Sequence, residues 1–298
     1  MKNTELLIIG AGAAGIAAAC AAWEAGCRDI LLVDRREQLG GILPQCIHEG
    51  FGLSSFGIEL TGPAYAERLA ERLGQTGVRF LPGREVLAVT KEKTAVLSGS
   101  GGLEEIRFER LILASGSREK ALGSLPIAGT RPAGIFTAGQ AQEMINLHHW
   151  KLGSSVVILG SGDLGMILAR RLILEGKQVL ALVEQNDHYG GMARNYHRCI
   201  EAYQIPILYH RTIREIHGLP RITGVTMEDL ESGEREQICC DTLITAIGLV
   251  PERELVFGLE EAAWLSFAGN CSRVHELADS AAAEGAKIGR AVGKEHAR

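Results

Sequence analysis

The sequence predicts an α/β fold, and three observations predict it. One strand–glycine turn–helix–strand device occurs twice, with its first glycine at Gly10 and again at Gly160. Glycine is abundant, at 37 of 298 residues, in a chain that is 46% hydrophobic. Aromatic residues make up only 5%. Many glycines in an apolar chain of this length read as repeated tight turns around a buried core, not as disorder. The length suits one or two domains.

The first device runs from Glu5 to Asp34. ELLIIG is a short strand ending at Gly10, GAGAAG opens an alanine-rich helix ending near Gly26, and DILLVD closes at Asp34. Strand, glycine turn, helix, strand and terminal acid together form the dinucleotide-binding fingerprint. Gly10 permits the tight turn, Gly12 lets backbone approach a pyrophosphate, and Gly15 lets the helix pack close to the strand. The helix N-terminus, beginning with Ala13 and Ala14, offers free N–H groups and the positive end of its dipole. Asp34 can accept from ribose hydroxyls, with Arg35 beside it. The alternative is a glycine turn of purely structural use.

The second device is SSVVILGSGDLGMILARRLILEGKQVLALVE. Gly160, Gly162 and Gly165 form its turn, Asp163 and Leu164 begin its helix, and Glu184 ends its second strand. It predicts a second dinucleotide site, the alternative being a unit that keeps the fold without the ligand. A carboxylate at Glu184 would accept a ribose 2′-hydroxyl and repel a 2′-phosphate, and the following QNDHYGG holds no Arg or Lys. The expected nicotinamide cofactor is therefore NAD(H) rather than NADP(H).

Composition excludes several other classes. Net charge is −5 without a long basic run, which disfavours nucleic acid and anionic membranes. The N-terminal apolar stretch is broken by patterned glycines and does not read as a signal peptide. No apolar run approaches the ~20 residues of a membrane span. Seven cysteines without C-x-x-C or metal-finger spacing point to a reducing, cytoplasmic compartment. His148 and His149, adjacent in a connector, make a poor chelate, and no metal site is expected.

LILASGSREK (Leu111–Lys120), CDTLITAIGLVPERELV (Cys240–Val256) and the closing FAGNCSRVHELADSAAAEGAKIGRAV join the two fingerprints in a pattern covering nearly the whole chain. In this pattern the chain resembles the two-dinucleotide flavoproteins of the pyridine nucleotide–disulfide oxidoreductase superfamily. The resemblance implies two Rossmann-like domains of three-layer ββα build, with the NAD domain inserted into a discontinuous FAD domain. The FAD domain would comprise residues 1–117 and 245–298, and the NAD(H) domain residues 118–244. It also implies FAD at the first fingerprint and NAD(H) at the second. Gly41, Ile42 and Cys46 would run past the flavin, and Val86 would give a backbone contact to adenine from an exposed β-meander. Ala114, Ser115, Gly116 and Gly248 mark the crossings, while Gly269 and Asn270 stand where the superfamily has Gly-Asp against the ribityl chain. The helix after them would point its N-terminus at the isoalloxazine ring. Asn270 departs from the usual Asp but retains hydrogen-bonding capacity, and the stretch from Glu254 to Asn270 is short.

GGILPQCIHEGFGL, GGMARNYHRCI and GNCSRVHELAD narrow the resemblance. They are similar to the smaller subunits of opine, hydroxyproline and hydrogen-cyanide-forming dehydrogenases, and to oxidoreductases encoded beside glycerol-3-phosphate dehydrogenases. That subgroup implies a partner dehydrogenase subunit or redox protein. In flavoproteins the cofactors carry the chemistry and the protein supplies position and electrostatics. Cys46, near His48, is either a redox thiol or a small apolar residue packed under the cofactor. His275, expected in a VHELAD helix, is either a stabiliser of reduced flavin or a capping or surface histidine. The expected activity is hydride exchange between NAD(H) and FAD, with electrons passed to or from a partner or second substrate. The alternatives are a stand-alone NADH oxidase or a peroxide or disulfide reductase using Cys46, and a non-catalytic NAD or FAD sensor.

Overall fold

The computed structural model describes residues 2–296. The chain forms two compact units, one holding the chain up to Arg118 and again from Val250, the other holding Glu119–Leu249. The crossings thus fall one and five residues beyond the positions expected from the sequence.

In the first unit, Arg79–Leu81, Ile30–Val33, Lys2–Ile9, Gly102–Leu113 and Leu265–Phe267 form a parallel ladder in that order. Leu6–Ile9 and Ile30–Val33 are buried throughout, as unbroken apolar strands of a sheet covered on both faces must be. The helix Ala13–Glu24 is buried over most of its length, which only an alanine-rich sequence permits. Against it lies the helix Ala278–His296. A Cβ at Gly285 or Gly289 would come 2.1 Å from the carbonyl oxygen of Ala14 or Ala18, so the two helices pack backbone to backbone.

Glu85–Val89, Thr94–Gly99 and the start of Gly102–Leu113 form an antiparallel meander over the other face of this sheet. Ala95, Leu97 and Ile106 are fully buried in one cluster with Leu7, Ile9, Leu31 and Val33. The meander is therefore not simply exposed, as its mixed charges suggest. Its residues alternate, and the apolar half of each strand covers the parallel sheet. Helices, parallel sheet and meander make the expected three layers.

The second unit repeats the plan. Ile135–Thr137, Thr242–Thr245, Ser155–Leu159, Gln178–Val183 and Ile207–Leu208 form its parallel sheet. The helices Ala138–Asn146 and Asp163–Leu174 belong to the core on one face of that sheet. A core on the other face draws on the antiparallel sheet of Arg211–His217, Gly224–Asp229 and Arg235–Ile238. All seven cysteines are free. Among the described residues no helix is long and apolar enough to cross a membrane.

Candidate functional site

In the first turn Gly10 has φ +103°, and a Cβ there would lie 2.3 Å from the Ala114 carbonyl oxygen. A Cβ on Gly15 would lie 1.8 Å from the Gly10 carbonyl oxygen, which closes the helix onto the strand end. Gly12 differs: its nearest neighbour would be the Gly41 Cα at 4.0 Å, so this point of the turn is open. Gly12 caps the helix without any side-chain hydrogen bond, leaving the first-turn N–H groups for an anion. Asp34 accepts from Ala11 N–H at 2.6 Å and Arg36 N–H at 2.8 Å, which ties the strand end to the turn.

A cavity of about 300 Å³ opens at the ends of these strands. Gly10, Asp34, Arg35, Val86 and Ser115, all expected from the sequence, line it together. Arg84 and Ser117 also line it. No sequence motif marks Arg84, whereas Ser117 sits within the crossing segment and could have been found there. The Ser115 hydroxyl donates to the Glu252 carbonyl at 2.6 Å, and the Gly116 carbonyl accepts from Glu252 N–H at 3.1 Å. Ser115 and Gly116 thus brace the returning chain.

The closing segment is held by a compact network. Glu284 Oε2 accepts from Gly269 N–H at 2.8 Å and pairs with His275 Nε2 at 3.0 Å. Asn270 Oδ1 accepts from His275 N–H at 3.0 Å, and Asn270 Nδ2 lies 3.5 Å from Ser117 Oγ. Arg253 donates to the carbonyl oxygens of Cys271 and Ser272. His275 does not lie in a helix: the last helix begins at Ala278, because Asn270 captures the His275 N–H and holds the chain in a turn. Its side chain is only 7% exposed and is committed to Glu284. Ile42 is 57% exposed. Cys46 Sγ approaches the Ile42 carbonyl at 3.5 Å, and burial pushes its thiol up to about 12.

The second turn copies the first. Gly160 has φ +104° with a virtual Cβ 2.4 Å from the Ala246 carbonyl, and a Cβ at Gly165 would lie 2.8 Å from the Gly160 carbonyl. Ala246 therefore takes here the role of Ala114, standing two residues before Gly248 as Ala114 stands two before Gly116. A Cβ at Gly162 would meet no heavy atom within 4 Å. Asp163, an anion at a helix N-terminus, turns aside to accept from Met192 N–H and Asn195 Nδ2, both at 2.7 Å. Leu164 packs against the core. The Gly248 carbonyl accepts from Lys120 N–H at 3.0 Å in the crossing. Glu184 is 6% exposed and accepts from Ser161 and Asn186. The repeat also extends further than the fingerprint, since a Gly-Gly pair follows Asp34 at 40–41 and Glu184 at 190–191. Among the described residues no group of three or more His, Cys, Asp or Glu could hold a metal ion.

Residues 4–273 match the pyridine nucleotide-disulphide oxidoreductase family. The chain belongs to that family. It is 26% identical over 279 residues to hydrogen cyanide synthase subunit HcnB of Pseudomonas protegens, covering 84% of this chain and 57% of that protein. The chain thus spans little more than half of that relative. It is 28% identical to thioredoxin reductase of Mycolicibacterium smegmatis, covering 86% of this chain and 79% of the relative. Thioredoxin reductase of T. acidophilum superposes with a TM-score of 0.80 at 20% identity, over the whole of both chains. This family places the chain among oxidoreductases, with the fold of the thioredoxin reductase-type FAD- and NAD(P)-binding proteins.

Proposed function

We propose that the first unit holds FAD, that the second holds NAD(H), and that the protein exchanges a hydride between them. The observation that carries this reading is the pair of open glycine cradles at Gly12 and Gly162, each at a helix N-terminus with no side-chain cap. Backbone there can approach a pyrophosphate, whereas any side chain would fill the space. In the first unit Asp34 and Arg35 would hold the adenosine ribose, Val86 the adenine, and Asn270 with Gly269 the ribityl chain. FAD supplies the two-electron chemistry when bound. Ser115 and Gly116 brace the cavity wall at Glu252, Arg253 ties down the closing segment, and Glu284 and His275 keep the Asn270 turn in place.

The electrons pass to or from a partner dehydrogenase subunit or redox protein in this reading. Support comes from the likeness to HcnB, a subunit by name, and from the seven free cysteines, which offer no internal disulfide. A Cys46 thiol raised to about 12 stays protonated near neutrality and is a poor nucleophile, which favours its packing role over a redox one. Free thiols also fit a reducing, cytoplasmic compartment.

The test is the visible spectrum of the purified protein before and after anaerobic NADH. Yellow protein that bleaches supports both assignments, and colourless protein unable to take up FAD sinks them. Isolation of a stable heteromeric complex from the native host supports the partner. High NADH turnover by the isolated chain with a small acceptor counts against it.

A further inference from the structure

We infer that the choice between NAD(H) and NADP(H) is made by the Asn186 side chain, with Glu184 as its positioning residue. The inference rests on the reading of the second unit as a nicotinamide dinucleotide site. A carboxylate offers about four lone-pair positions. At Glu184 all four are taken within the protein. Oε2 accepts from Ser161 N–H at 3.2 Å and from the Ser161 hydroxyl at 2.6 Å. Oε1 accepts from Asn186 N–H at 3.0 Å and from Asn186 Nδ2 at 2.8 Å. No position remains for a ribose hydroxyl, and the side chain is almost wholly buried.

The first unit shows what an uncommitted acid looks like. Ala11 stands where the second unit has Ser161, and Arg36 where it has Asn186. Asp34 accordingly receives two backbone N–H bonds from those positions and lines the cavity. Two side-chain donors, Ser161 and Asn186, therefore separate an acid that faces a ligand from one that faces inward.

The fourth bond also orients Asn186. With Nδ2 drawn to Glu184, the planar amide turns Oδ1 away from it, on an exposed residue at the end of the strand. Asn186 Oδ1 would accept a 2′-hydroxyl, and the remaining Nδ2 proton would donate to a 2′-phosphate. The charged groups around it already have partners: Asp187 lies 2.6 Å from His188, and Arg211 pairs with Asp229 at 3.2 Å and with Glu236 at 3.8 Å. Because one amide can serve either group, a neutral reader of this kind separates the two cofactors only weakly, by about 2–15-fold, the worth of one ordinary hydrogen bond.

The test is calorimetric titration of NAD⁺ and NADP⁺ into the FAD-loaded protein, comparing the ratio of the two affinities. Asn186→Asp is expected to raise the NAD⁺ preference at least tenfold by repelling the 2′-phosphate. Glu184→Gln keeps a carbonyl acceptor for Asn186 N–H and Nδ2 and removes only the charge, so the ratio is expected to stay within threefold. A tenfold collapse of the ratio in Glu184→Gln overturns the inference. So does an Asn186→Asp ratio within threefold of wild type, which decides the matter even if Glu184→Gln fails to fold. Wild-type protein that binds neither dinucleotide overturns the nicotinamide reading itself, and this inference with it.

Discussion

Replacing Gly162 with alanine adds one methyl group where the second turn opens. The new Cβ meets nothing within 4 Å, and the residue already sits at φ −68°, ψ 171°, which any L-residue adopts. Alanine restricts the unfolded chain, a gain of roughly 0.4–1 kcal/mol, and loses a few tenths as a poorer N-cap. The fold should therefore change in stability by less than about 1 kcal/mol. The same methyl stands where a pyrophosphate would approach the N-terminus of Asp163–Leu174. Losing one hydrogen bond from backbone N–H to a charged oxygen costs roughly 1.5–3 kcal/mol, or about 10–150-fold in affinity. The assay pairs a thermal melt with titration of NAD⁺ into wild-type and variant protein. An unchanged melt with NAD⁺ affinity within threefold of wild type would mean that no phosphate comes near Gly162.

Other substitutions probe the supports of the site. Gly289→Ala drives a Cβ to 2.1 Å from the Ala18 carbonyl and must push the paired helices apart, so a loss of about 3 kcal/mol is expected in urea unfolding. A midpoint within experimental error of wild type would contradict backbone-to-backbone packing. Glu284→Ala removes the acceptor shared by Gly269 N–H and His275, and should weaken FAD uptake about tenfold, with recovery in Glu284→Gln. Equal FAD affinity in the alanine variant would refute a positioning role. Burial pushes the thiols of Cys20, Cys27 and Cys240 up to about 11 and that of Cys46 to about 12. Their folded values are raised, so this contribution is complete below the ordinary thiol value of 9.0, where both states hold their protons. It is lost as pH rises toward 11, because the unfolded chain ionises first, at about 1.4 kcal/mol per thiol per pH unit. Urea midpoints that stay level between about pH 8 and 10.5 would refute this.

What the sequence determined by itself is the backbone of both turns. The constraint at Gly10 and Gly160 is a positive φ against a neighbouring carbonyl, and residue type alone reports it. Unbroken apolar strands and the alanine-rich helix are equally local signals, legible because burial on all sides leaves no other residue type. The Gly-Gly pairs at 40–41 and 190–191 are visible too, though their place beside Gly12 and Gly162 emerges only when the loops fold back. Tertiary structure alone decided where the polar side chains point. Asp34 and Glu184 occupy equivalent positions, yet one lines a cavity and the other is enclosed by donors from Ser161 and Asn186. His275 leaves the helix expected for it because of a bond to Asn270 and then pairs with Glu284, nine residues on. The meander buries one face because the parallel sheet needs covering. A side chain's partner depends on which segments packing brings within about 3 Å, and no local propensity encodes that choice.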